Sequence, residues 1–197
     1  KGENEIFSLQ ELIKEFDIKG LSKSPAIFDE AKLKHIDGEY IRKMTPEEFY
    51  AHAEPYIKQV VKRTDVDLRF IASILQPRTE IFTDIPAQVD FIDALPEYDN
   101  SMYCHKKMKT NEETSLEALK KALPVIENID EWTVDNIHEK LFALIAELGV
   151  KNGYMLWPLR TALSGKQFTP GGAIELLVIL GKEDSIARIR HGIEKLS

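Results

Sequence analysis

Cys104 and His105 set a thiol beside an imidazole, the one pairing in the chain that invites a nucleophilic reading. Neighbouring residues on a helix or strand point apart, and activation needs both groups to converge with a third that orients the base. The pair is therefore expected to be structural; a small standalone enzyme using Cys104 is the reading it displaces. The five histidines, at 35, 52, 105, 138 and 191, show no i, i+3 or i+4 pairing, so no metal site is expected. The phosphate cradle G-x-x-x-x-G-K-[ST], G-x-G-x-x-G, the G-x-S-x-G elbow and H-E-x-x-H are all missing. Acidic pairs such as Glu47-Glu48 and Glu112-Glu113 suit helix N-termini, where the macrodipole favours negative charge. No catalytic residue is expected.

Other residues are suited to binding. Thr169-Pro170-Gly171-Gly172 reads as a helix start whose N–H groups are unshielded by side chains, so that backbone can approach a base edge or a phosphate. An ordinary capped helix start is the plain alternative. Arg160 belongs to the preceding helix, and the connection 164–168 should fold it back beside those glycines. Its planar guanidinium can stack on a base or fork two hydrogen bonds, although an isolated arginine more often serves a surface salt bridge. Trp157, one turn earlier, could stack on an unpaired base, with packing beside Pro158 the favoured alternative.

Helices must position these groups. Ser8-Leu9-Gln10-Glu11 and Thr45-Pro46-Glu47-Glu48 each place a hydroxyl three residues before a glutamate, the reciprocal capping pattern, so helices open near 9 and 46. Leu9, Leu12, Ile13 and Phe16 form one apolar face, and Phe49, His52, Ala53, Tyr56 and Val60 another. Residues 64–67 open a third helix that must stop at Gln76, because Pro77 disfavours helical geometry in its predecessor; Arg78 lies just beyond. A short helix over about 86–94, a loop with one helical turn to 110, a helix capped at Thr114-Ser115-Leu116-Glu117 and one from Thr133 to Gly149 follow. Asn152 can cap a helix to Leu163, Thr169-Pro170 starts the next, and the last runs from Gly181 to about Leu196. No segment alternates as strands require. The fold class is all-α, a bundle of short helices around two cores.

Composition sets the bounds. The 197 residues are 43% hydrophobic and 30% charged, enough for a real core. The longest apolar run, 173–180, is broken by Glu175 and far below the roughly 18 residues of a membrane span. One cysteine permits no internal disulfide, and the N-terminal residues show no secretory pattern, so a cytoplasmic location is expected. The net charge of −7 argues against a protein that coats nucleic acid. Residues 150–197 nevertheless carry seven basic and four acidic side chains, against 19 and 29 before them, so the C-terminal part is compatible with a polyanion.

Three motifs carry a family resemblance. Ser24-Pro25-Ala26-Ile27-Phe28-Asp29, Lys32-Leu33 and Gly38-Glu39-Tyr40-Ile41 resemble the segment joining the two halves of bacterial glutamyl-tRNA synthetase, S-x-A-x-F-D-x-x-K-L-x-W-x-N-x-x-Y. His35 and Asp37 replace its tryptophan and asparagine. Pro158-Leu159-Arg160-Thr161-Ala162-Leu163-Ser164-Gly165, then Thr169-Pro170-Gly171 and Leu180-Gly181-Lys182-Glu183, look like the C-terminal signature P-L-R-x-A-L-(S/T)-G…(S/T)-P…L-G-K-E. Between them, Gln76-Pro77-Arg78 matches a third position. Leu21-Ser22-Lys23-Ser24 only superficially resembles the Lys-Met-Ser-Lys-Ser loop of class I synthetases and is rejected as an ATP loop.

The resemblance covers the whole chain and implies an anticodon-binding fragment of a glutamyl-tRNA synthetase: the end of a stem-contacting linker domain (1–41) and two helical subdomains (42–125 and 126–197). It implies that Arg160, Thr169, Pro170, Gly171 and Gly172 contact the first two anticodon nucleotides, that Arg78 meets the third, and that Trp157 borders them. The Gly171-Gly172-Ala173 stretch is one residue longer than in some members. Arginine at 78 goes with rejection of the glutamine tRNA, though charging of that tRNA stays open. The parent enzyme would use ATP and Mg²⁺ to attach glutamate; the fragment itself needs no cofactor, binds no DNA or membrane, and is expected to be a monomer inactive alone. Its rival is a helical protein–protein adaptor without RNA binding.

Overall fold

The computed structural model describes residues 6–20 and 28–197. Leu21-Ser22-Lys23-Ser24 and the string through Ile27 lie outside the described residues. From the N-terminus the chain builds α1 (Leu9–Glu15), α2 (Glu30–Lys43), α3 (Pro46–Val60), α4 (Leu68–Leu75) and α5 (Ile85–Val89). It continues through α6 (Glu112–Glu127), α7 (Val134–Leu148), α8 (Asn152–Ser164), α9 (Ala173–Leu180) and α10 (Lys182–Leu196). Among the described residues the only β pairing is a single bridge, His105 to Thr110. The fold is all-α, as the patterning requires.

The expected caps form at α1 and α3. Ser8 and Glu11 exchange hydrogen bonds at 2.8 and 3.2 Å, and Thr45 and Glu48 at 2.9 and 3.3 Å. Elsewhere the starts shift. Helix α6 opens at Glu112 because Asn111 is its cap and Thr114 its reciprocal partner, three residues before the expected box. Asn152 is the first helical residue of α8 and not its cap; Lys151 holds that position without a side-chain bond. Helix α5 is shorter than expected, ending at Val89. Helix α2 is an addition to the expected elements. Its signals are the Asp29 cap, whose carboxylate accepts from the Lys32 N–H at 3.1 Å, and Arg42-Lys43 in its last turn. The apolar face of α1 does not pack: Leu9 and Ile13 are about 70% exposed.

Helix α3 packs on α4 and α5, while α6 packs on α8 and α10. Helix α9, flanked by α8, α10 and α7, also touches α4 and so joins the two groups. Ile57, Ile71, Ile85, Leu119, Ile137, Leu159 and Leu177 belong to one continuous buried core, where two were expected, because α9 bridges the two helical groups. A buried arginine spans the same junction. Arg188 on α10 donates to the carbonyls of Phe91 (2.8 Å), Ile92 (2.9 Å) and Leu163 (2.8 Å) and pairs with Asp184 at 2.9 Å. Asp184 also receives Arg63 at 2.8 Å, so the end of α3, the end of α5 and the end of α8 are tied to α10. A buried charge is tolerable because its donors are satisfied in this way.

Candidate nucleic-acid interface

The chain stops α4 at Leu75 and turns through a 3-10 segment, Gln76–Arg78. Gln76 braces that turn by donating to the carbonyls of Met44 (2.8 Å) and Ile41 (3.2 Å), and the Thr79 hydroxyl bonds back to Leu75 at 2.9 Å. Arg78 thus leaves a fixed base. Helix α8 ends at Gly165, which adopts φ +60°; a Cβ there would lie 2.7 Å from the Tyr98 ring and would be strained in that conformation. The reversal brings residues 167–172 back along α8, as the sequence requires for Arg160.

Thr169 is where the two arginines meet. Arg78 Nη1 donates to its carbonyl at 3.1 Å and to the carbonyl of Pro170. Arg160 Nη1 donates to its hydroxyl at 3.1 Å, Arg160 Nη2 to the Gln167 carbonyl at 2.8 Å, and the hydroxyl passes its own proton to Gly171 O at 2.7 Å. The Arg160 guanidinium lies 4.3 Å from the centroid of the Trp157 ring, a cation–π contact. Burial, and secondarily the Arg78 charge, pull Arg160 below its ordinary pKa. Among the described residues neither guanidinium has a carboxylate within ion-pair distance. Two cations without a carboxylate partner, Arg78 exposed and Arg160 partly buried, have the chemistry to take an anionic or acceptor-rich planar group.

Arg78, Trp157, Arg160, Thr169, Gly171 and Gly172 line one cleft of about 440 Å³, completed by Met108, Asn152, Gly153, Leu156 and Ala173. Pro170, the seventh expected residue, is buried behind it and offers its carbonyl to Arg78. Two expectations change. Helix α9 begins at Ala173 and not at Thr169-Pro170, and the Gly172 N–H is not free, since the Glu175 carboxylate accepts it at 2.9 Å. A glutamate three residues after the cap reaches back as it does at α1 and α3, a signal present in the sequence as Gly172-Ala173-Ile174-Glu175. Trp157 is partly buried in the cleft wall: Nε1 donates to Met102 O at 3.0 Å, and the His105 ring sits 4.0 Å away on centroids.

His105 explains its pairing with Cys104. Its Nδ1 accepts the Met108 N–H at 3.2 Å, so the imidazole closes a turn, and Cys104 faces solvent. Among the described residues no group of three or more His, Cys, Asp or Glu could hold a metal, and no helix is long and apolar enough to cross a membrane. Sequence reasoning missed Phe168. It is 81% exposed and shares a neighbouring hollow of about 460 Å³ with Arg78, Gln88, Arg160 and Thr169. An aromatic directly before Thr169-Pro170 was the available signal.

Residues 48–193 match the model of the anticodon binding domain family, a span that contains both arginines, Thr169 and the whole cleft. The chain belongs to the anticodon binding domain family. This anticodon binding domain is 58% identical over 194 residues to the glutamate–tRNA ligase of Clostridium botulinum strain Eklund 17B, covering 98% of the chain and 40% of the relative. It is 55% identical over 196 residues to that of Clostridium acetobutylicum ATCC 824, again covering 40% of the relative. The chain thus spans about 40% of the length of the curated relatives it matches. Among solved structures, a glutamate tRNA ligase from Elizabethkingia meningosepticum CCUG26117, in complex with its amino acid, matches with a TM-score of 0.80 and 28% identity, over 98% of this chain and 38% of that one. The glutamate–tRNA synthetase of Elizabethkingia anophelis gives 0.77 and 25% over 97% and 37%.

Proposed function

We propose that this chain is the anticodon-reading part of a glutamate–tRNA ligase and binds the anticodon loop of the glutamate tRNA. One observation carries the reading: Arg78 and Arg160, from different helical groups, converge on Thr169 at a cleft and present guanidinium edges with no carboxylate partner among the described residues. Unpaired loop bases offer flat faces and acceptor-rich edges, which guanidinium planes recognise by stacking and forked bonds. Local positive charge suffices for this, so a chain of net charge −7 can bind RNA. Arg160 and Thr169 serve the first two anticodon nucleotides with the Pro170-Gly171-Gly172 turn, and Arg78 serves the third. The stem-contacting segment and the two helical subdomains belong to the same proposal.

In the ligase, glutamate is attached in a reaction using ATP and Mg²⁺ outside these residues, in the cytoplasm, and the chain acts as a monomer. Nothing at the cleft favours the adaptor alternative. Titration of glutamate and glutamine anticodon stem-loops, with an unrelated loop as control, tests the proposal. Preference for the glutamate loop, lost in Arg78→Met with helicity unchanged, is the expected result; equal binding of all three loops at moderate salt overturns it.

A further inference from the structure

A second cationic feature lies at the rim of the same cleft. Lys106, Lys107 and Lys109 surround Met108 on the turn closed by the His105–Thr110 bridge, whose backbone bonds are 3.0 and 3.2 Å. The turn is rigidly held: Thr110 Oγ1 donates to Tyr103 O at 2.8 Å and the His105 imidazole accepts from the Met108 N–H. It is also placed. Met108 lines the cleft, its side chain fills the space a Cβ on Gly153 would need, and the His105 ring packs on Trp157, the ring that carries Arg160.

All three lysines are exposed, and among the described residues none makes a hydrogen bond or an ion pair, although Glu112 and Glu113 follow within the first turn of α6. Three like charges on one turn repel each other, and among the described residues no ion pair holds any of them. Lys109 adds a second cost. Its φ is +58°, the only positive value outside glycine among the described residues, in a region that glycine or asparagine would occupy with less strain. A lysine there carries a backbone cost that glycine or asparagine would reduce.

We propose that this turn, 105–110, is a contact site for the sugar–phosphate backbone of the RNA strand whose bases enter the cleft. The lysines act as point charges on successive phosphates, setting the strand's position without reading its sequence. The inference rests on the RNA reading of the cleft and extends the footprint beyond Arg78 and Arg160 to the turn at the cleft's rim, next to Trp157.

The test compares the wild-type chain with Lys106→Gln/Lys107→Gln/Lys109→Asn, titrating glutamate and unrelated anticodon stem-loops between roughly 50 and 200 mM salt. Each phosphate contact on a single strand adds about 0.7 to the salt slope, so losing three makes the slope shallower by about 2. Over that fourfold rise in salt, wild-type affinity should then fall about 15-fold further than the variant's. Both loops should lose affinity equally at low salt, while the urea midpoint holds or rises because asparagine tolerates the left-handed backbone at position 109 better than lysine does. Lys109→Asn alone, which keeps the turn, should give about a third of the slope change. An unchanged slope and affinity, or a loss confined to one loop sequence, overturns the backbone site. Failure of the underlying RNA reading looks different: the wild type itself then binds neither loop, and the turn's role falls with it.

Discussion

Arg78 and Arg160 grip Thr169 from two sides, one at its carbonyl and one at its hydroxyl, each at 3.1 Å. The residue between them transmits position from α4 to α8, so each arginine helps to hold the other's anchor. Lysine cannot reproduce this. Its ammonium lacks the fork that reaches Thr169 and Gln167 together and the plane that lies over Trp157.

Arg160→Lys is therefore expected to cost roughly 1–3 kcal/mol in stability from hydrogen bonds to a charged group and the lost cation–π contact. If Arg160 reads a base, affinity for the glutamate loop should fall by a similar free energy, about 5- to 150-fold, beyond what unfolding explains. Urea denaturation and loop titration on the same preparation separate the two effects. An unchanged midpoint would show that the fork carries no stability.

Phe168 should behave in the opposite way. At 81% exposure its ring supports little of the core, so Phe168→Ala should leave the urea midpoint within about 0.5 kcal/mol. Stacking of one base on an aromatic ring is worth roughly 1–3 kcal/mol, and that is the expected loss in loop binding. Phe168→Tyr should restore it, since the stacking face is retained; failure of the tyrosine to do so would remove the ring from the interface.

How far the sequence reaches follows from where the physics is local. Ser8–Glu11 and Thr45–Glu48 caps, the stops at Gly149 and Gly165 and the fold-back of Arg160 all depend on residues a few positions apart, and all are present. The start of α6 differs from expectation because Thr114 answers Asn111 and does not lead, and both patterns look alike without the backbone. Helix α2 leaves a weak trace in the sequence because half of its residues are charged and most are exposed, so its apolar positions, Leu33, Ile36, Tyr40 and Ile41, make only a sparse stripe. The Gly172 platform fails for a related reason: Glu175 reads as an interruption in an apolar run, whereas it reaches back to occupy the N–H. Arg78 comes to the site by resemblance alone, since its bonds to Thr169 and Pro170 join distant segments. The lysine turn reads only as loop, because the contacts of Met108 and His105 are what reveal its border with the cleft.

Acid should weaken the fold through carboxylates that the folded chain holds ionised. The Arg63 guanidinium, with a backbone N–H, lowers Asp65 to about 2, and the Thr45 N–H and hydroxyl lower Glu48 below the usual carboxylate range. A depressed folded pKa stabilises above the unfolded value and loses that contribution as pH falls through the folded one. Unfolded carboxylates titrate near about 4, so the urea midpoint should be flat from about pH 7 to 5 and decline between about 4 and 2. Asp65→Asn should flatten part of that decline. Because Asp65 is exposed, its share should shrink in high salt, which a repeat of the series in about 1 M salt reads directly.

The packing of α10 gives the sharpest stability test. Gly192 lies where α10 crosses Tyr103, and a Cβ there would stand 2.5 Å from the Tyr103 hydroxyl, 3.1 Å from Ala162 Cβ and 3.3 Å from Leu119. Tyr103 is fully buried and its hydroxyl is shared with Tyr98 at 2.8 Å, so the ring cannot withdraw without breaking that bond. On helix propensity alone, glycine to alanine inside α10 would add up to about 1 kcal/mol. Overpacking a filled core costs typically about 1–3 kcal/mol, and the lost tyrosine pair adds to it, so the clash should win. Gly192→Ala is expected to lower the urea midpoint, and Gly192→Ala with Tyr103→Phe to recover part of the loss by removing the oxygen that collides. A rise in the midpoint of the single variant would mean that α10 can move away from Tyr103, and then Arg188, anchored one turn earlier to Phe91, Ile92 and Leu163, is not holding it.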